Sequence, residues 1–128
     1  MTLTRIMVVD DDPNIRNLVR TILEHEGYEV VEAENGRACL DMLHKGERPD
    51  LILLDVMMPE MDGWEVSRRI KGDEELSSIP VCMLTAKSTT MDALMSLESA
   101  HADWHINKPI SKKLLLEGVG WLLGSASQ

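Results

Sequence analysis

Short, mostly apolar runs recur along the chain and alternate with stretches in which apolar residues are spaced three and four apart. An apolar run without alternation is typical of a strand that is covered on both faces. A spacing of three and four is typical of a helix that buries one face. The pattern predicts strands over residues 6–9, 29–33, 51–54, 81–84 and 104–107.

Capping residues mark where the predicted helices begin. Asp12 before Pro13 indicates one helix start, and Asn35, Asp62 and Ser111 indicate three others. A weaker helix is predicted over residues 88–100. The residues predicted to face inward on the five helices are Ile15, Leu18, Val19, Ile22 and Leu23; Ala38, Cys39, Met42 and Leu43; Val66 and Ile70; Ala93, Leu94, Leu97 and Ala100; and Leu114, Leu115 and Leu122.

Five strands that alternate with five helices predict an α/β domain built on a parallel sheet. Parallel strands need right-handed crossovers, so helices are expected on both faces of the sheet. The expected architecture is a doubly wound, flavodoxin-like sheet with strand order 2-1-3-4-5. Residues 1–124 are expected to form this single domain, and residues 125–128 are expected to be a frayed tail.

Composition restricts the partners that the chain is expected to have. The formal net charge is −9 and Lys and Arg are scattered, which argues against a nucleic-acid-binding surface. No apolar stretch is long enough to cross a bilayer, and Cys39 and Cys82 lack the spacing of a metal site. The chain is therefore expected in a reduced cytoplasm, with neither nucleic acid nor membrane bound by this domain.

Reactive residues follow four of the predicted strands, namely Asp10 and Asp11, Asp55, Thr85 and Lys108. The carboxyl ends of parallel strands share one edge, and strands 1 and 3 are neighbours in the expected order. Asp10, Asp11 and Asp55 are therefore predicted to converge. Clustered carboxylates raise one another's pKa, and a divalent cation removes that penalty. Carboxylate oxygens at an open site favour Mg²⁺.

The same residues suit a phosphoryl group, which carries negative charge on three oxygens during transfer. Mg²⁺ can neutralise one oxygen, the Lys108 ammonium another, and the Thr85 hydroxyl with a backbone N–H the third. Asp55 is central among the strand ends, so its carboxylate is the predicted nucleophile and an aspartyl phosphate the predicted product. Taken alone, an Asp at a strand exit is often a turn cap, and Asp12 is interpreted only as a helix cap.

Four motifs resemble, in order and spacing, those of response-regulator receiver domains of the kind found in the chemotaxis response regulator. The likeness covers essentially the whole chain and implies two-component phosphorelay signalling, with Asp55 accepting a phosphoryl group from a histidine kinase or histidine phosphotransfer protein. Such a domain promotes its own phosphorylation and dephosphorylation but is not an enzyme. The motifs are Val8-Val9-Asp10-Asp11, Asp55-Val56-Met57-Met58-Pro59-Glu60-Met61-Asp62-Gly63, Thr85-Ala86 and Lys108-Pro109.

The resemblance also implies individual roles at the shared edge. Asp11 would bind Mg²⁺ directly and Asp10 partly through water, and Asp55 and the Met57 backbone carbonyl would be further ligands. The residues implied to bind the phosphoryl group are Thr85, Ala86 and Lys108.

Several positions depart from the family pattern. In the family, a shift of Thr85 toward the phosphoryl group is coupled to a Tyr or Phe three residues before the lysine, where this chain has His105. His101 begins the loop usually written Gly-Ala-Asp, which removes the residue that most easily adopts left-handed backbone. Met57 and Lys87 occupy positions that flank the attacking water, and the apolar Met57 leads us to expect slow self-dephosphorylation.

Partner binding and two rival functions stay open at this point. Family members commonly bind partners through the last two helices and fifth strand, and a homodimer through those helices is one form of this; the output partner is unknown. Phosphatases and dehalogenases with an Asp nucleophile also use Mg²⁺, Thr and Lys. That family places its nucleophile in an Asp-x-Asp motif after the first strand and usually adds a cap insertion, whereas here the single central Asp follows the third strand and no loop is long enough to cover a substrate. A phosphate-independent binding module would not need the complete acidic site.

Overall fold

A five-stranded parallel sheet runs through the residues that the computed structural model describes, which are 3–85 and 101–126. Its strands are β1 (Arg5–Val9), β2 (Glu29–Ala33), β3 (Leu51–Asp55), β4 (Val81–Thr85) and β5 (Trp104–Asn107). The order across the sheet is β2-β1-β3-β4-β5, and each neighbouring pair is parallel. The predicted flavodoxin-like sheet and its strand order are therefore confirmed.

The interior strands β3 and β4 are buried at every residue. Unbroken apolar runs suit such strands because side chains leave them toward both faces of the sheet. Both strands run one residue further than predicted and end at Asp55 and Thr85. Asp55 pairs in register with Leu84, and Thr85 with Asn107, so the backbone of the polar edge is held by strand pairing.

Four helices accompany the sheet in the described part of the chain: α1 (Pro13–His25), α2 (Gly36–His44), α3 (Gly63–Lys71) and a C-terminal helix (Lys112–Ala126). The C-terminal helix extends two residues past the predicted domain boundary at 124. The helix predicted over 88–100, with its inward residues, lies outside the described residues. Each predicted cap accepts a backbone N–H of the first turn: Asp12 Oδ1 from Asn14 (2.8 Å), Asn35 Oδ1 from Ala38 (2.7 Å), Asp62 Oδ1 from Glu65 (2.9 Å) and Ser111 Oγ from Leu114 (3.3 Å).

Alternate residues of the strands face opposite sides of the sheet and build two aliphatic cores. One core joins β-strand residues to α2 and α3, and the other joins them to α1 and the C-terminal helix. Cys39 lies in the first core and Cys82 in the second, and both are free thiols. Burial raises the pKa of each thiol to about 12, so neither forms a reactive thiolate at neutral pH.

Two residues predicted to face inward are exposed instead. Leu18 of α1 is 42% exposed and Leu114 of the C-terminal helix is 55% exposed. Each neighbours a residue that is fully buried, Val19 and Leu115, and adjacent helical positions point about 100° apart. On α1 and the C-terminal helix, the stripe of residues buried against the sheet therefore excludes these two predicted positions. In the C-terminal helix, Val119 joins that stripe, although the sequence pattern had not placed it there.

The loop before β5 retains left-handed backbone although His101 replaces the family's glycine. His101 adopts φ 59°, which is strained for a residue with a side chain. The following Ala102 is buried, and Asp103 Oδ2 accepts hydrogen bonds from Val81 N at 2.7 Å and Lys71 Nζ at 2.9 Å. These bonds tie the loop to the start of β4 and the end of α3, and they help to offset the backbone cost at His101.

We expect Gly63→Ala to lower the free energy of unfolding by about 2–3 kcal/mol through overpacking. A Cβ at Gly63 would overlap the Asp55 carbonyl oxygen and lie 2.9 Å from Val56 Cα, and strand backbone cannot easily move away. The control is Gly120→Ala, where nothing lies within 4 Å of the added Cβ. That change should raise stability by up to about 1 kcal/mol, since alanine favours a helix interior. Urea denaturation measures both, and equal effects would contradict the packing argument.

Candidate functional site

Three carboxylates meet at the carboxyl ends of β1 and β3. Val9 pairs in register with Leu54, so the residues that follow them, Asp10 and Asp55, stand side by side. One carboxylate oxygen each from Asp10, Asp11 and Asp55 lies within 4.8 Å of the others. Asp10 and Asp55 are buried whereas Asp11 is exposed. The structure thus brings together the three acids that the sequence predicted to converge, in a cluster that reaches solvent at Asp11.

Lys108 joins the cluster from the end of β5. Its Nζ lies 2.9 Å from Asp55 Oδ1 and 3.1 Å from Asp10 Oδ2. Its backbone N–H donates to the Thr85 carbonyl at 2.6 Å, which continues the pairing of β4 with β5 beyond the last strand residue. The ammonium is therefore positioned by the sheet itself between two buried carboxylates.

The start of α1 fixes the Asp10 side of the cluster. Asp10 Oδ1 accepts the backbone N–H of Asp12 at 2.9 Å. The Arg16 guanidinium donates to the Asp10 carbonyl at 2.7 Å and forms an ion pair with Glu32 at 3.0 Å. Sequence reasoning missed Arg16; the signal that could have found it is an arginine one helical turn after the Asp12 cap, where it can reach back to the strand end.

Burial dominates the electrostatics of Asp55. Desolvation raises the pKa of its carboxyl from 3.8 to about 6, and the charge of Asp10 adds to the rise. The hydrogen bond from Lys108 and the backbone hydrogen bond of Met57 act in the opposite direction. Burial also lowers the pKa of Lys108, but its hydrogen bonds to Asp55 and Asp10 outweigh this and leave that pKa above its ordinary value. At neutral pH the site therefore holds an ionised Asp55 against a charged ammonium.

Thr85 lies on the same edge, but its hydroxyl is directed to another residue. The residue is fully buried, and its Oγ1 donates to Asn107 Oδ1 at 2.8 Å. Asn107 was not among the predicted site residues, although it immediately precedes Lys108 in the sequence.

Other predicted positions fall around the cluster or outside it. Met57 follows the end of β3 and its side chain is 68% exposed. His105, on β5, is half-buried and its ring stacks on Trp104 with centroids 6.3 Å apart. Ala86 and Lys87 lie outside the described residues. Within the described ranges, His101 and His105 do not join a group of metal-ligating side chains.

The donor set of the cluster fits Mg²⁺. Asp10, Asp11 and Asp55 supply hard carboxylate oxygens, which this cation prefers, and they form a group that can hold a metal ion. The exposed Asp11 leaves one side open, and Mg²⁺ usually retains waters and accepts phosphate oxygens there. The cluster also stands where the strand order reverses, which is where doubly wound sheets bind ligands.

A doubly wound sheet whose carboxyl edge carries an acidic cluster and a lysine is the arrangement expected of a receiver domain. The family model of the response regulator receiver domain matches residues 6–119. The chain therefore belongs to the response regulator receiver domain family, a component of two-component systems. This membership favours the signalling hypothesis over a phosphatase or dehalogenase.

Two relatives illustrate the similarity in sequence. The DNA-binding response regulator MtrA of Mycolicibacterium smegmatis is 40% identical over 115 residues, which cover 90% of this chain and 48% of that protein. The DNA-binding dual master transcriptional regulator RpaA of Synechocystis sp. is 40% identical over 122 residues, which cover 93% of this chain and 48% of that protein. The chain thus spans about half the length of these relatives.

Solved structures show the same similarity in three dimensions. A receiver domain of a signal transduction histidine kinase from Syntrophus aciditrophicus superposes with a TM-score of 0.87 at 40% identity, covering 95% of this chain and 91% of the other. The chemotaxis protein CheY4 of Vibrio cholerae superposes with a TM-score of 0.87 at 29% identity, covering 94% of this chain and 99% of the other.

Among the helices in the described ranges, none combines the length and apolarity needed to span a bilayer.

The raised pKa of Asp55 predicts a pH-dependent stability difference between the wild type and Asp55→Asn. Without divalent cations, the folded state binds the Asp55 proton more tightly than the unfolded state, so stability falls as pH rises from about 4 to about 6. Above pH 7, Asp55→Asn should therefore be more stable by about 1–3 kcal/mol, and the gain should vanish near pH 4.

Urea denaturation in a chelating buffer across this pH range measures the difference. Asp41→Asn, at an exposed position of α2, is the matched control and should change stability by less than about 0.5 kcal/mol at every pH. A gain for Asp55→Asn that stays constant between pH 4 and pH 8 would show that the buried charge is not its cause.

Proposed function

We propose that Asp55 accepts a phosphoryl group from the phosphohistidine of a histidine kinase or a histidine phosphotransfer protein. The observation that carries this proposal is that Asp55 lies in one cluster with Asp10 and Asp11 and that its Oδ1 lies 2.9 Å from the Lys108 ammonium. A nucleophilic carboxylate, an acidic cation site and a fixed positive charge together meet the needs of phosphoryl transfer.

The chain's own residues would act as follows. An Asp55 carboxylate oxygen attacks phosphorus, the bond between phosphorus and the donor's imidazole nitrogen breaks, and that nitrogen keeps the electron pair. With a pKa of about 6, Asp55 is mostly ionised at neutral pH and is thus a competent nucleophile. Lys108 neutralises oxygen charge as the P–N bond breaks, because its ammonium is already fixed beside Asp55 and needs little reorganisation.

The acidic cluster would serve as the cation site. Asp10, Asp11 and Asp55, with the Met57 backbone carbonyl as a further ligand, would hold Mg²⁺. When bound, Mg²⁺ supplies positive charge to the phosphoryl oxygens and removes the repulsion among the carboxylates. The buried Asp10 is held by its bonds to Asp12 and Lys108, so it would act as the least mobile part of the site.

Output would pass through Thr85 to the surface formed by β5 and the C-terminal helix. That surface presents the exposed side chains of Trp104, Leu114 and Trp121, and the two indole rings lie 5.5 Å apart. Exposed aromatic residues grouped in this way suit a protein partner or a second copy of the chain. Phosphorylation would bias this surface by favouring one position of Thr85 over another.

Incubation with acetyl phosphate and Mg²⁺ should add one phosphoryl group to the wild type, detected by intact-protein mass spectrometry. Asp55→Asn should show no gain, because the amide is not a nucleophile, and Asp11→Asn should react at least about tenfold more slowly because a cation ligand is lost. Asp41→Asn is the control for charge and should react as the wild type does. Phosphorylation that survives in Asp55→Asn would place the acceptor elsewhere.

We expect the aspartyl phosphate at Asp55 to hydrolyse slowly, because the exposed Met57 side chain offers no hydrogen bond to the attacking water. Met57→Asn should shorten the half-life about fivefold, which corresponds to one hydrogen bond of about 1 kcal/mol. Leu3→Asn, also at an exposed position, is the control for added polarity. Phosphate release after removal of the donor measures both, and a wild-type half-life of seconds would contradict the expectation.

A further inference from the structure

The hydrogen bond between Thr85 and Asn107 occupies a group that the proposed function needs. A threonine hydroxyl has one proton to donate, and here Thr85 Oγ1 donates it to Asn107 Oδ1 at 2.8 Å. Thr85 is fully buried, so water does not compete freely for that proton. In this arrangement the hydroxyl cannot donate to a phosphoryl group at Asp55 unless it first releases Asn107.

We propose that Asn107 is a positioning residue that holds the Thr85 hydroxyl away from the phosphoryl site in the unphosphorylated protein. This inference rests on the proposed function of Asp55 and adds a regulatory contact to it. The bond stabilises the unphosphorylated arrangement, and phosphorylation has to replace it with a bond from Thr85 to a phosphoryl oxygen. Asn107 therefore sets part of the equilibrium between the two arrangements.

The backbone makes Asn107 suited to this role. Thr85 and Asn107 are in register on β4 and β5, and the Lys108 N–H bonds the Thr85 carbonyl. The end of β5 thus presents two adjacent side chains to two parts of the site, Lys108 to Asp55 and Asn107 to Thr85. An exposed residue such as Asn107 is not needed for core packing, so its side chain can change partner without disturbing the fold.

Asn107 also lies beside the output surface. The residue lines a surface cavity together with His105, Leu114 and Trp121. Release of Thr85 would free the Asn107 amide to form other hydrogen bonds in this cavity. The proposed contact therefore provides a physical route from the phosphoryl site to the aromatic surface, through one hydrogen bond that can be broken and remade.

Binding of beryllium fluoride, a phosphoryl mimic, in the presence of Mg²⁺ tests the proposal through a double-mutant cycle. The proteins are the wild type, Asn107→Ala, Thr85→Ala and the double variant, and tryptophan fluorescence reports binding. Asn107→Ala should bind the mimic about three- to tenfold more tightly, because the buried hydroxyl then gains its partner only on binding. In the Thr85→Ala background, the same change should alter affinity less than twofold.

Further variants guard against simpler explanations. Asn107→Val keeps strand propensity and should reproduce the tighter binding if Asn107→Ala folds poorly. Asn17→Ala, at an exposed position of α1, should leave the affinity unchanged. Weaker or unchanged binding by both Asn107 variants, or an equal effect with and without Thr85, would overturn the proposal. A wild type that binds no beryllium fluoride and accepts no phosphoryl group would instead overturn the proposed function, and this inference with it.

Discussion

The close approach of two buried carboxylates, Asp10 and Asp55, with the Lys108 ammonium between them is the interaction on which the site depends. Each acid follows an apolar strand residue, and the pairing of β1 with β3 places them side by side. Burial favours the neutral form of Asp55, whereas Lys108 favours its charged form. The domain therefore keeps a destabilising group of charges at one edge, and that group is the one proposed to bind a cation and accept the phosphoryl group.

The rest of the fold is arranged so that this edge can remain polar. Two aliphatic cores lie on opposite faces of the sheet, where alternate residues of the same strands pack against α2 and α3 on one face and against α1 and the C-terminal helix on the other. Cap side chains accept backbone N–H groups at the start of α1 and α3, next to the site. The loops that lead into these two helices are therefore held in place. Stability comes from the centre of the sheet, which allows the carboxyl edge to hold an arrangement that costs free energy.

The two halves of the edge have different tasks. The β1–β3 half carries the acids and is held rigidly by α1 through Asp12 and Arg16. The β4–β5 half carries Thr85 and Asn107, whose side chains meet through one neutral hydrogen bond beside an exposed aromatic surface. A rigid acidic half suits chemistry that needs fixed geometry, and a half held by a weaker contact suits a change that a partner can detect.

Sequence alone determined the strands, the helix caps, the strand order and the convergence of Asp10, Asp11 and Asp55. These follow from local patterns and from the few ways in which right-handed crossovers can connect parallel strands. Only the tertiary structure decided that Leu18 and Leu114 face solvent, that Asp103 anchors its loop, and that Arg16 and Asn107 contact the site. Those outcomes depend on the angle at which a helix meets the sheet and on pairs of side chains that the pattern along the chain does not relate.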